Sequence, residues 1–244
     1  MRASQVLKRV LLGVVGLGVA FTAVVGVAHT RPGRPLLGII GPMLGMGPAQ
    51  GARKGGCPFG FDVAASPAQR EASRTQFAAT HHGDWPALSR PALGFTFDRT
   101  TRSDVMSWAA EHHVQCTKPK SGVDLNCAHV PDSLLPPSWQ GAPVTNLWMN
   151  FGEGDRLISL VALRSTRSAE TIGETFGKVS AAMTAEAGPP VKVDGDASPA
   201  GLSAGLLRQA SVEYRFRDYY AVARATNMGH DGFLLTEEYR SLPN

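Results

Sequence analysis

Leu157-Ile158-Ser159-Leu160-Val161-Ala162-Leu163-Arg164-Ser165-Thr166-Arg167-Ser168-Ala169-Glu170-Thr171-Ile172 is the stretch that decides the fold. Its first seven residues are apolar apart from Ser159, a run of strand length. Polar residues then interrupt, and Ser168 is a residue type that caps helices. Beyond it Ile172, Phe176, Val179 and Met183 recur at helical spacing until Gly188-Pro189-Pro190 ends the pattern. Upstream, Leu147, Met149 and Phe151 alternate, and Gly152-Glu153-Gly154-Asp155 turns the chain back into the apolar run. The reading is therefore an antiparallel hairpin that feeds directly into a helix.

A similar arrangement precedes it. Leu93, Phe95 and Phe97 alternate across Ala92–Asp98, which predicts a strand. Thr101 then caps a helix, with Asp104 where a negative charge suits the helix start. Val105, Trp108, Ala109 and His112 form its apolar stripe. Strands are expected near residues 114–117 and 124–130. Thr100-Thr101-Arg102-Ser103 opens this helix much as Ser165-Thr166-Arg167-Ser168 opens the next. The expected fold is α+β: an antiparallel sheet with helices packed on one face, as two tandem helix-plus-hairpin units. In layout alone this resembles the tandem small α+β units of bacterial envelope assembly-complex lipoproteins and secreted enzyme inhibitors.

Outside these units, Ser66, Pro67 and Gln69 form a capping-box signature for a helix running to about His82, before Gly83. Its face is mostly alanine, so it is expected to bury little. Near the C-terminus Val212, Tyr214 and Phe216 alternate, and Tyr220 and Val222 keep that parity. This reads either as one long bent strand or as two strands with a turn at Arg217-Asp218. A turn over Asn227–Gly232 leads to a last strand, Phe233 to Arg240.

The N-terminus determines the expected compartment. Residues 1–9 are a basic start, with Arg2, Lys8 and Arg9. Residues 10–28 are apolar except for Thr22. The length approaches the ~20 residues of a transmembrane helix and exceeds the ~7–15 of a signal-peptide core. Gly26 and Ala28 nevertheless supply a small-residue cleavage site, so the segment reads as a transmembrane anchor or a signal peptide. The preceding basic residues place the start inside and residues 29–244 outside the cytoplasm, secreted if the segment is cleaved. Residues 29–61 form a Gly-, Pro- and Met-rich juxtamembrane linker, and residues 62–244 form the exported domain.

Residues 1–61 hold seven Lys and Arg and no Asp or Glu, so the +4 net charge belongs to this leading segment. Subtracting seven from 24 leaves 17 basic against 20 acidic residues in the domain. A slightly acidic domain argues against nucleic acid as a partner. The expected partners are the membrane, through residues 10–28, and a protein of the envelope. Cys116 and Cys127 flank a short polar loop, and export favours a disulfide between them, stabilising by about 2–3 kcal/mol. Cys57, in Gly55-Gly56-Cys57-Pro58, is left as a free thiol.

The chemistry-bearing motifs are absent: there is no P-loop, no G-x-G-x-x-G, no G-x-S-x-G and no H-E-x-x-H. No cofactor and no catalytic constellation is assigned. Glu237 and Glu238 point to opposite faces of a strand and cannot act together. Two candidate sites remain. Trp148 has the opposite parity to Leu147 and Met149, and Tyr219 opposes Tyr220, so Trp148 and Tyr219 are expected on the outer sheet face as a binding surface. His82 and His112 end two helices and could ligate zinc or copper if the ends meet. The first reading is a membrane-tethered extracytoplasmic interaction or ligand-binding protein. The alternative is an envelope metal-binding protein or metal-dependent enzyme using those histidines.

Overall fold

A computed structural model of the chain describes residues 66–119 and 123–243. Residues 10–28 and Cys57 lie outside them. The elements in chain order are α1 (Pro67–His81), α2 (Arg102–Glu111), β1 (Gln115–Thr117), β2 (Leu125–Val130), β3 (Val144–Phe151) and β4 (Leu157–Thr166). They continue with α3 (Ala169–Ala187), β5 (Lys192–Asp194), α4 (Pro199–Ser203), β6 (Gln209–Arg215), β7 (Tyr219–Asn227) and β8 (Phe233–Ser241). The strands form one eight-stranded sheet in the order β1-β2-β3-β4-β8-β7-β6-β5. Every pairing is antiparallel. The protein is thus α+β with an antiparallel sheet. Two runs of four strands meet where β4 pairs with β8.

Local chemistry explains the helices. Ser66 with Gln69, and Thr101 with Asp104, make reciprocal capping boxes on α1 and α2. Ser168 accepts from the Thr171 N–H at the start of α3. Ile172, Phe176, Val179 and Met183 are all buried, and burying each such side chain contributes about 1.5–3 kcal/mol. Alternation explains the strands: Leu147, Met149 and Phe151 face the helices, as do Ala221, Ala223 and Ala225 of β7. The small alanines let α3 approach the sheet closely. Gly232, with φ of 90°, turns β7 into β8; a Cβ there would lie 2.5 Å from the Thr166 carbonyl oxygen. Cys116 and Cys127 are directly opposite each other on β1 and β2 and form a disulfide.

Three expectations change. Ala92–Asp98 is a loop, because Leu93, Gly94 and Asp98 all have positive φ and break the extended backbone. The Phe95 N–H turns back to the Ala92 carbonyl. Ala92, Leu93 and Phe97 are nevertheless buried, so their apolar character reflects burial rather than a strand. The helices also do not share one face. α2, α3 and α4 contribute to the main core, whereas α1 packs Phe77 and Ala78 on Tyr220, Val222 and Leu242, across the sheet. Each run of four strands, moreover, follows one helix, a longer unit than a helix plus a hairpin.

The alanine-rich α1 is held largely by its arginines. Arg70 pairs with Asp124 at 2.7 Å, and the Asp124 side chain is only 5% exposed. Arg74 pairs with Asp98 at 2.8 Å and donates to the Ser241 carbonyl at 2.9 Å. Arg90 reaches the same Asp98 at 2.8 Å. These contacts tie the helix across the ends of the strands, which its weak apolar stripe could not do alone.

All four tyrosines of the chain lie in the sheet and are buried. Burial pushes each phenol above its ordinary range: moderately for Tyr214, further for Tyr220, and well above it for Tyr219 and Tyr239. The folded state then holds protons that the unfolded chain releases near pH ~10. This stabilisation is fully present below that pH and is lost as pH rises toward the raised native values. Tyrosinate absorbance is expected to appear together with loss of circular dichroism, in one cooperative alkaline transition. A gradual rise near pH ~10 with the fold intact would contradict the burial.

Candidate functional site

The outer face of the sheet carries the candidate site. Register places Asn126, Trp148, Val161, Glu238, Val222 and Glu213 in one transverse row from β2 to β6. The next row runs through Asn146, Leu163, Thr236, Arg224 and Ser211. Among the described residues, α1 is the helix on this face, and it covers the end of the sheet near Tyr220. Trp148, Leu163, Thr236 and Arg224 are all partly exposed.

The charges on this face are unevenly paired. Glu238 binds Arg240, whose guanidinium also lies 4.3 Å from the Phe77 ring centroid. Glu213 binds Arg215 at 2.8 Å. Arg224 makes no ion pair among the described residues, and its cross-strand neighbours are the hydroxyl residues Thr236 and Ser211. A tryptophan, a leucine and an uncommitted arginine on one sheet face are the residue types that anchor protein interfaces.

Tyr219 does not belong to this surface. It is fully buried on the helix side, and its hydroxyl donates to the Pro91 carbonyl at 2.8 Å. The cause is the turn at Arg217-Asp218, closed by the Phe216 N–H donating to the Tyr219 carbonyl. The turn separates β6 from β7 and resets the alternation, so Tyr220 rather than Tyr219 faces outward. Trp148 is on the outer face as its parity implies.

The histidines take local roles. His82 caps α1, with its Nδ1 3.3 Å from the Gly83 carbonyl oxygen, and His112 packs its ring against Trp108. Among the described residues no group of three His, Cys, Asp or Glu side chains comes together as a metal ion would need. No described helix is long and apolar enough to cross a membrane.

The helix side holds a polar cluster that sequence reasoning missed. Arg164 and Glu237 are both fully buried, and the Arg164 Nε donates to Glu237. The remaining guanidinium nitrogens donate to the Ala142 and Trp139 carbonyls, each at 2.9 Å. The Tyr239 hydroxyl donates to the other Glu237 oxygen. Burial alone would lower the Arg164 pKa, but Glu237 outweighs it and the guanidinium stays charged. A signal was present: Arg164 continues an apolar strand, and Glu237 shares parity with Leu235 and Tyr239. A neighbouring cavity of about 440 Å³ is lined by Phe95, Phe97, Pro136, Trp139, Arg90 and Glu186. Every buried polar atom of the Arg164 cluster is satisfied from within the protein, which suits structure better than chemistry.

No protein family, curated protein or solved structure matches the chain.

Proposed function

We propose that the protein is a membrane-tethered, extracytoplasmic interaction protein that docks a partner on the outer sheet face. The basic-then-apolar N-terminus supports the tether and the compartment, and a disulfide suits an oxidising compartment. One observation carries the docking surface. Three of the described helices pack on one face of the sheet, and the other presents Trp148, Leu163 and Arg224 beyond α1. The partner's matching patch combines an apolar contact for Trp148 with a carboxylate for Arg224. We also read the two runs of four strands, each led by a capped helix, as copies of one ancestral unit. The copies meet at the β4–β8 pairing.

The test is a photo-crosslinking side chain placed at Thr236, on this face, in intact cells. One at Lys178, exposed on the far side of α3, is the control. A reproducible adduct is expected from position 236 and none from 178. Trp148→Ala and Arg224→Ala are each expected to lower its yield at least tenfold, since such residues dominate interface energies. Adducts from 178 alone, or yields indifferent to both substitutions, would overturn the reading.

A further inference from the structure

We propose that the chain forms a symmetric dimer by antiparallel pairing of β5 with β5 of a second copy. The sheet has two edges, and they differ in kind. β1 at one edge is Gln115-Cys116-Thr117, pinned by its disulfide to β2 and otherwise polar. β5 at the other edge is Lys192-Val193-Asp194, exposed along its whole length. A strand at an edge offers unpaired backbone groups to another chain, and proteins that avoid this blunt the edge with charge, proline or cover. Here the edge carries Lys192 and Asp194, but Val193 between them and Val191 before them are apolar and exposed. Val193 is 69% exposed on β5 itself, and Val191 precedes it at 57%.

The charge pattern selects the occupant. Lys192 and Asp194 share the outer face with Glu213 and Ser211 and lie 3.6 Å apart within one chain, an exposed pair that the dimer would exchange between copies, and Val193 lies on the helix side with Val212. Let two β5 strands pair antiparallel with Val193 on the two-fold axis. Each Lys192 then faces the second copy's Asp194, and each Val193 faces its own equivalent. Opposite charges directly across a strand pair stabilise it, and like charges destabilise it. The three-residue segment is thus self-complementary, as an isologous interface requires. An unrelated extended peptide would need no such symmetry. The two-fold axis runs perpendicular to the sheet, so both outer faces lie on the same side and the dimer is bivalent for a partner docked there.

The test is the full chain in detergent, followed by sedimentation velocity across a concentration series. A concentration-dependent dimer is expected for the wild type. Lys192→Asp places two aspartates opposite each other twice and is expected to raise the dissociation constant about tenfold. The exchange Lys192→Asp with Asp194→Lys is expected to restore it. Because both side chains are over 60% exposed, the fold tolerates these changes. In a Cys57→Ser background, Val193→Cys is expected to form a covalent dimer on mild oxidation. Three outcomes would overturn the proposal: a monomer at every concentration, a dimer indifferent to the charge reversal, or occupation of the edge by a different peptide alone. Trp148→Ala leaves this dimer unchanged, so failure of the partner-docking reading would be seen separately.

Discussion

Glu237→Ala is expected to lower folding stability by about 3–5 kcal/mol, the range for removing one partner of a buried ion pair. The Arg164 side chain is fully buried, and three of its contacts are to Glu237 and the Ala142 and Trp139 carbonyls. Without Glu237 its charge would keep Asp132 alone, at 3.5 Å, as a countercharge. The Tyr239 hydroxyl would lose its acceptor at the same time. Denaturant unfolding measures the loss as a shift in midpoint at constant slope. The cost comes from the orphaned charge rather than from any large net value of the pair. Arg164→Met combined with Glu237→Leu should therefore recover most of it, since well-packed apolar replacements of buried ion pairs are often neutral or stabilising. A single mutant within about 1 kcal/mol of wild type would mean that Arg164 has access to water.

Trp139→Ala is the second large effect, again about 3–5 kcal/mol, as for other buried aromatic truncations. Trp139 is 1% exposed, meets the Tyr239 ring edge-on at 5.8 Å, and donates from Nε1 to Glu186 at 2.9 Å. It borders the open cleft lined by Phe95 and Phe97, so truncation deepens that cleft into the core. Trp139→Phe keeps most of the packing and removes the donor; because Glu186 is partly exposed and water can replace the indole N–H, it is expected to cost only about 0.5–1.5 kcal/mol. The two variants together separate packing from hydrogen bonding. Trp139 and Glu237 both touch Tyr239, so their effects should not add, and a double-mutant cycle is expected to show the coupling.

The helix starts were legible because capping is local. Ser66 with Gln69, Thr101 with Asp104, and Ser168 each act within three residues, and each cap is present. The β3–β4 hairpin was legible for the same reason, and the paired cysteines because their strands are consecutive in the chain. The candidate site was read in part. Trp148 sits on the outer face because a single strand preserves its own alternation. Tyr219 was misplaced because parity was carried across Arg217-Asp218, where the segment read equally as one bent strand or as two strands with a turn. Arg224 gained meaning only when register set it between Thr236 and Ser211. The same parity reading correctly separated Glu237 from Glu238, yet it missed that Glu237 meets Arg164, 73 residues away.

The sequence by itself determined the caps of α1, α2 and α3, the β3–β4 hairpin, the α+β class and the antiparallel sheet, since each follows from side-chain spacing within one or two elements. Tertiary structure alone decided four other things. These are the β4–β8 junction that makes one sheet of eight strands, the crossing of α1 to the opposite face, the looped course of residues 92–98, and the buried Arg164–Glu237 pair. All four rest on contacts between residues far apart in the chain. Arginines that look like a solvated helix face become anchors when Asp124, Asp98 and Ser241 arrive beneath them. An alternating apolar segment becomes a loop when left-handed residues are held in place by the core around them. Local periodicity carries no information about partners that distant, and long-range packing outweighs propensity where the two disagree.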